Sequence, residues 1–181
     1  GNLVNEILKA YPKDMQATET RGIIALNKQD GLTAVNSFRL LTQDRPQDSQ
    51  AWLLLARAHL LNKEEGQAKE KAKKALELKP DFLDARKFLY GMFLQDKDYD
   101  TAIATIQGYL RLNDKDIVNL VTLGEIYALK GDYALARATF QKIIDLEPKN
   151  PQGYYNLALL GLKAKKMDEA LKYADKALQE Q

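Results

Sequence analysis

The sequence predicts an all-α fold in which one pair of antiparallel helices is repeated along the chain. Four prolines, Pro12, Pro46, Pro80 and Pro148, are separated by 34, 34 and 68 residues, the last interval being twice 34. Asp114 occupies the place where a further proline would complete the series. A fixed interval of this length is typical of a supersecondary unit copied along a chain. Stacked copies present an extended surface and do not enclose one compact core.

Small residues recur at the same interval. Alanine stands at the twentieth position of all copies, and the position twelve residues earlier is small in four of five. The alanines are Ala34, Ala68, Ala102, Ala136 and Ala170, and the earlier positions hold Gly22, Ala56, Tyr90, Gly124 and Ala158. Two helices that cross closely need a residue with almost no side chain at the contact, so these positions predict helix crossings.

Apolar residues within each copy recur at i, i+3, i+4 and i+7, which is helical spacing. Turn signals at 27–31, 62–66, 96–100, 130–132 and 165–168 separate the two helices of each copy. The prolines end each second helix or begin the link to the next copy. We therefore expect eleven helices and no strand. The expected helices span residues 2–10, 15–28, 31–43, 49–62, 65–78, 83–95, 99–111, 117–130, 133–146, 151–164 and 167–180.

These positions resemble the tetratricopeptide repeat. The fourth copy is the nearest match, through Leu123, Gly124, Tyr127, Gly131, Asp132, Tyr133, Ala136, Phe140 and Pro148. The resemblance implies a right-handed superhelical solenoid in a single domain over residues 1–181. Its copies span about 15–48, 49–82, 83–116, 117–150 and 151–181, and residues 1–14 end a preceding copy. The core is expected to include Leu76, Leu78, Leu112 and Leu146.

Three positions depart from the family pattern. Arg21 stands where the family has leucine, and Tyr90 stands where it has a small residue. Either Gly91 lets this helix shift its contact by one residue and alters the curvature of the third copy, or the crossing repacks around Tyr90. Because Asp114 replaces a proline, the link between the third and fourth copies is expected to be looser than the other links or helical throughout.

The composition favours neither nucleic acid nor an anionic membrane as a partner. The chain has 27 basic and 25 acidic residues, a net charge of +2 and no cysteine. A nearly neutral chain lacks the basic surface that polyanions require. No apolar run approaches the roughly 20 residues of a membrane-spanning helix, so direct membrane insertion is not expected.

The residues that could carry chemistry are few, and we expect no enzyme. The single His59 has neither a nucleophile nor an orienting carboxylate assigned to it, so a packed or groove-lining histidine is expected. Asp96, Asp98 and Asp100 begin like a calcium loop, but Thr101 and Gln107 stand where glycine and glutamate are required. No cofactor or metal site is expected.

Glycines Gly22, Gly91 and Gly124 are interpreted as lone helix glycines at packing positions, not as part of a phosphate-binding loop.

The resemblance implies that binding residues lie on the first helix of each pair, which lines the concave face. The predicted groove residues are Leu53, Arg57, Leu60, Lys87, Leu94, Val121, Glu125, Tyr155, Leu159 and Leu162. Many are apolar, and exposed apolar patches usually mark a partner site. The predicted partner is a protein or peptide. Arg57 and Lys87 either hold one carboxylate of that partner or are two solvated charges without a ligand.

The alternative function is a self-assembling structural module. Leu171, Tyr173, Ala174 and Leu178 would leave an apolar edge, and stacking through such uncapped ends would give a homo-oligomer. The chain begins within a copy, so we expect a piece of a longer protein. Its copies are similar to those of long bacterial tetratricopeptide proteins, including lipoproteins linked to exopolysaccharide export or surface-protein sorting. Cytoplasm and periplasm both stay open as compartments.

Overall fold

A computed structural model describes residues 2–180, and over that range it contains eleven α-helices and no strand. The helices are α1 (Asn2–Ala10), α2 (Met15–Asn27), α3 (Gly31–Asp44), α4 (Ser49–Leu61), α5 (Glu65–Leu78), α6 (Leu83–Gln95), α7 (Tyr99–Leu112), α8 (Ile117–Lys130), α9 (Tyr133–Leu146), α10 (Pro151–Lys163) and α11 (Met167–Gln179). The predicted bounds agree to within one residue at each end, and the all-α class is confirmed.

The helix starts are fixed by side-chain caps that also recur along the chain. Asp14, Asp48, Asp116 and Asn150 cap α2, α4, α8 and α10, and each side chain accepts from a backbone N–H of the first turn. Losing such a cap costs about 1 kcal/mol. The caps explain why the first helices begin where they do.

The two helices of each pair are joined by the same backbone turn. One residue in each turn has a positive φ: Gln29, Lys63, Lys97, Gly131 and Lys165, spaced by 34 residues. The next residue donates its backbone N–H to a carbonyl five residues earlier, as Asp30 does to Ala25 at 2.9 Å. This pattern satisfies carbonyls that the helix end would otherwise leave unpaired. Four of the five positions carry a side chain in a conformation that favours glycine.

The first compact unit covers the described residues up to Met92. Helices α2 and α3 pair, α4 and α5 pair, and α3 packs against α4. Its core includes Ala34, Phe38, Leu41, Leu55 and Ala58. Arg21, which replaces a family leucine, is half-buried and donates from Nε to Ser37 Oγ at 3.0 Å, so a polar contact substitutes for the apolar one.

The second compact unit begins at Phe93. Helices α8 and α9 pair, α10 and α11 pair, and α9 packs against α10. Helix α8 also contacts α7 and α10. Lys130 at the end of α8 donates to Asp100 on α7 at 2.7 Å, and Arg137 on α9 donates to Glu169 on α11. These ion pairs join helices of the same unit.

The helix crossings confirm the role of the small positions. A Cβ atom placed on Gly22 would lie 2.6 Å from the Phe38 ring, and one placed on Gly124 would lie 2.3 Å from the Phe140 ring. Ala34, Ala68, Ala102 and Ala136 are completely buried, and Ala170 is nearly so. The glycines therefore provide the space that an aromatic ring on the second helix occupies.

Two packing predictions are wrong. Leu112 is 80% exposed, because it lies six residues after the buried Ile106 and so about 240° around α7 from the core. Gly91 is exposed, and a Cβ atom placed on it would meet nothing within 4 Å, so it makes no crossing contact. Of the other core predictions, Leu76 is completely buried, and Leu78 and Leu146 are half-buried.

Tyr90 and Asp114, which depart from the family pattern, differ in how the structure accommodates them. Tyr90 is 3% exposed, so its side chain is buried despite its size. An altered curvature of the third copy stays a prediction. Around Asp114, α7 ends at Leu112 and α8 begins at Ile117, so the junction is not helical throughout. It has the same four-residue length as the links between α3 and α4 and between α9 and α10.

The helix crossing can be tested with two glycine-to-alanine variants. Gly124→Ala should lower the free energy of unfolding by about 1–3 kcal/mol, because the buried Phe140 ring has to move. Gly91→Ala should raise it by about 0.5–1 kcal/mol, because alanine favours the helix and meets no neighbour. Urea denaturation followed by circular dichroism measures both. Equal effects of the two substitutions would contradict the crossing role of Gly124.

Candidate functional site

The second unit contains an open cleft between three helices. Its walls come from one side of α8, one ring of α9 and one side of α10, and its volume is about 230 Å³. The lining residues are Glu125, Ala128, Leu129, Phe140, Asn156, Leu159, Leu160 and Lys163. We call this the α8–α10 cleft. Most of its lining is apolar.

Helix periodicity sets which side chains reach the cleft. On α10, Asn156 and Leu160 are four residues apart and both buried, so they form its inner wall. Leu159 lies at the rim and is 40% exposed. Tyr155 and Leu162 precede and follow Leu159 by four and three residues, and they are 53% and 50% exposed. The three form an apolar stripe along α10.

Some of the predicted groove residues of the second unit lie together in one cleft, and others do not. Glu125 and Leu159 line the α8–α10 cleft, and Val121, half-buried, lies one turn before Glu125 on α8. Leu94, also half-buried, lies on α6 and is not among the cleft residues.

In the first unit, one groove prediction is corrected. Leu53 is completely buried on α4, a helix that packs against both α3 and α5, and so its side chain cannot touch a partner. Arg57 and Lys87 are exposed, and Leu60 is half-buried. A shared carboxylate held by Arg57 and Lys87 stays a prediction.

Asn156 is the functional candidate that sequence reasoning missed. Its side chain is 3% exposed, and its Nδ2 makes no hydrogen bond within residues 2–180. An unsatisfied buried amide costs about 1–3 kcal/mol. The available signal was an amide four residues before the apolar Leu160, at a position of the helix that faces inward. Lys163 and Leu129 were not among the predicted groove residues either, although both occupy the thirteenth position of a first helix, which was expected on the concave face.

The apolar surroundings change the chemistry of Glu125. Burial beside the cleft raises the pKa of its carboxyl, and the positive charge of Lys163 partly opposes that shift. The residue as a whole is exposed, so the carboxylate stands at the mouth of the cleft and is only partly desolvated. The mouth therefore carries one negative and one positive group around an apolar cleft.

The surroundings of His59 indicate a role in packing. It is buried on α4, and its Nδ1 lies 2.5 Å from Glu64 Oε2, just before α5 begins. The hydrogen bond to His59 lowers the pKa of the Glu64 carboxyl. This contact links the two helices of one pair across their turn.

One aspartate of the turn before α7 caps that helix. Asp98 accepts from the backbone N–H of Thr101 at 3.3 Å and caps α7. Over residues 2–180, no three His, Cys, Asp or Glu side chains are grouped as metal ligands would be. In the same range, the helices are too short or too polar to cross a membrane.

The shifted carboxyl pKa values predict opposite effects of two substitutions. The folded state binds the Glu125 proton more tightly than the unfolded state, so stability falls as pH rises from the ordinary pKa of about 4.3 through the raised value. Glu125→Gln removes this destabilisation. It should raise the urea midpoint at pH 7, and the difference from the parent protein should disappear below about pH 4.

Glu64→Gln is the matched variant of opposite sign. In the parent protein, folding lowers the pKa of the Glu64 carboxyl. The stabilising contribution of Glu64 is therefore present above the ordinary carboxyl pKa and is lost as pH falls through the lowered value. This substitution should lower the urea midpoint at pH 7. If the urea midpoint at pH 7 moved in the same direction in both variants, burial would not act on Glu125 as inferred.

Comparisons with known proteins agree with this architecture. The sequence pattern of the tetratricopeptide repeat matches residues 19–81 and 121–181. The human protein O-mannosyl-transferase TMTC3 is 27% identical over 135 residues, which cover 73% of this chain. The chain spans about 15% of the length of that relative, so the activity in its name is not carried over.

Solved structures share the fold at low sequence identity. MamA superposes with a TM-score of 0.63 at 22% identity, covering 92% of this chain and 91% of MamA. A MamA fragment from Desulfovibrio magneticus RS-1 gives 0.62 at 16% identity, covering 91% and 93%. YrrB, described as a TPR protein with an unusual peptide-binding site, gives 0.57 at 16% identity, covering 98% and 92%.

Two matches to the repeat pattern cover more than half of the chain, and the helix pair between them, α6 and α7, keeps the same 34-residue spacing. This fold supports protein-interaction scaffolds in general. The chain belongs to the tetratricopeptide repeat family.

Proposed function

We propose that this protein is a scaffold that binds a segment of another protein along α8 and α10. The observation that carries the proposal is the apolar stripe of Tyr155, Leu159 and Leu162 beside the α8–α10 cleft. Large apolar side chains are costly to leave in water unless a partner covers them. Stripe and cleft together offer anchors for more than one side chain of a bound segment.

The charges of the site are consistent with a protein partner. Glu125 and Lys163 have opposite sign, so the cleft does not attract a polyanion. Two polar groups at an apolar site can fix the register of a bound chain, while the apolar contacts supply most of the affinity.

The proposal is tested by selection from a displayed library of random twelve-residue peptides. The parent protein should enrich related sequences, and Tyr155→Ala combined with Leu159→Ala should weaken their binding about tenfold or more, because both anchors are truncated. Circular dichroism should stay unchanged, since both side chains are exposed.

The matched control is Tyr133→Ala combined with Leu135→Ala. These residues are a similarly exposed tyrosine and leucine on α9, away from the cleft lining. The control should bind the selected peptides as the parent does. Failure to enrich any sequence, or equal loss in both double variants, would reject the α10 stripe as the binding surface.

A second candidate function is self-association through α11. Met167, Leu171 and Leu178 lie on one side of that helix, and all three are exposed. Ile144 occupies the same repeat position as Leu178 one copy earlier, and it is buried. A second copy that covered this side of α11 would remove the exposed apolar area from water.

Light scattering after size-exclusion chromatography tests self-association. The parent protein should show a mass that rises with concentration, and Leu171→Glu combined with Leu178→Glu should give a monomer at every concentration, because two buried charges would oppose the contact. Leu32→Glu, at an exposed leucine of α3, serves as the control. A concentration-independent monomer of the parent protein would exclude this function.

A further inference from the structure

Another cleft lies between α1, α2 and α3 in the first unit, and we call it the α1–α3 cleft. Its volume is about 270 Å³, which exceeds the roughly 150 Å³ of an apolar cavity that holds benzene. Two cations, Arg21 and Lys28, line it together with the apolar residues Val4, Ile24 and Ala25. The cleft therefore combines positive charge with carbon surface.

Arg21 gives this cleft a charge that the corresponding positions of the other copies lack. Those positions hold Leu55, Leu89, Leu123 and Leu157, and all four leucines are buried. Arg21 is only half-buried. The charged cleft is thus a property of the copy at 15–48 and not of the repeat in general.

A buried hydroxyl holds the Arg21 guanidinium in place. Nε of Arg21 donates to Ser37 Oγ at 3.0 Å, and Ser37 Oγ donates to the Thr33 carbonyl at 2.8 Å. Ser37 is completely buried, so these two hydrogen bonds fix the guanidinium plane. Within residues 2–180, Nη1 and Nη2 of Arg21 make no hydrogen bond or ion pair, and neither is shielded from solvent. Two parallel N–H donors therefore stay available for one carboxylate.

Lys28 supplies the second positive charge. It is the C-cap of α2 and follows Arg21 by seven residues, or about two turns, so the two lie on the same side of the helix. Its ammonium group is paired with no carboxylate of the described residues. Asp30 also lines the cleft, but its carboxylate accepts from the backbone N–H of Thr33 at 3.0 Å and caps α3. The lining therefore keeps an excess of positive charge.

The apolar part of the lining favours a ligand with a hydrocarbon stem. Val4 and Ile24 are half-buried, and Ala25 is buried. Burying one methylene group against such surface strengthens binding about fourfold. An inorganic oxyanion gains nothing from it, whereas a carboxylate on a short aliphatic stem uses both kinds of lining.

We propose that the α1–α3 cleft binds a carboxylate on a short aliphatic stem, with the carboxylate on Arg21 and Lys28 and the stem against Val4 and Ile24. Two sources have this chemistry, a free short-chain carboxylic acid and a glutamate side chain of another protein. The inference goes beyond the proposed function, because the α8–α10 cleft belongs to the second unit and contains neither of these cations.

NMR titration of the ¹⁵N-labelled whole chain with butyrate, at constant ionic strength, tests the site. Butyrate should shift the Arg21 Nε–H signal and the backbone signals of Asn5 and Lys28, with saturation. Butyramide has a similar shape without the charge, and acetate lacks two methylene groups. Each should bind about tenfold more weakly than butyrate.

Three results would overturn the proposal. They are no saturable change of these signals with butyrate, equal binding of butyrate and butyramide, and equal binding of butyrate and inorganic phosphate. The last would mean that the cleft responds to negative charge alone.

N-acetyl-glutamate methylamide distinguishes the two sources, because its side chain and Cα repeat the carbon skeleton of butyrate. Binding at least as tight as that of butyrate identifies a protein side chain as the ligand. Weaker binding identifies a free acid, since the peptide groups then do not fit beside the cleft.

Arg21→Leu is the matched variant, because it introduces the residue of the other four copies and should keep the helical circular dichroism signal. It should weaken butyrate binding about tenfold or more and leave the peptides selected on the α10 stripe unaffected. Arg21→Lys keeps the charge but loses the planar donor pair, so it should weaken butyrate about threefold.

Arg111→Leu, at an exposed arginine of α7, removes the same charge from the second unit and should leave butyrate binding unchanged. Butyrate binding by Arg21→Leu that matches the parent, or an equal loss in Arg111→Leu, would overturn the proposal. Either result would leave the scaffold function on α10 standing.

Discussion

The close crossing of the two helices in each pair is the constraint on which the rest of the structure depends. Gly22 faces Phe38 and Gly124 faces Phe140 so closely that no Cβ atom fits between them. In the second copy the corresponding residues are Ala56 and Ala72, both completely buried. In the first and fourth copies, a large residue on one helix is thus matched by a glycine on the other. Because interiors are packed without spare volume, this matching sets how near the helices lie and which faces stay outside.

The helix boundaries could be predicted because local chemistry determines them. The positive-φ turn recurs every 34 residues, and prolines and capping side chains recur at the same interval in most copies. Each acts within a few residues of its own position. Leu112 and Gly91 were assigned wrongly for a different reason. Their neighbours across the fold, or the lack of them, decide their environment, and the family position alone does not carry that information.

The candidate site was predicted in outline only. The exposed face of α10 follows from helical periodicity, so Tyr155, Leu159 and Leu162 were found from the sequence. Leu53 occupies the same repeat position as Tyr155 but is completely buried, so the repeat position alone does not determine exposure. Asn156 could not be recognised, since its unpaired amide becomes evident only when the surrounding helices are in place. The unpaired amide therefore depends on tertiary packing more than on the repeat pattern.

The main contacts within each unit join helices that are consecutive in the chain or one helix apart. Contacts between nearby parts of a chain form quickly, because little chain entropy is lost in closing a short loop. A nascent polypeptide with this layout needs no distant partner before it can bury its apolar faces. Within a unit, each newly synthesised hairpin can dock onto the one before it, which limits the time during which its apolar surface is accessible to other chains during synthesis.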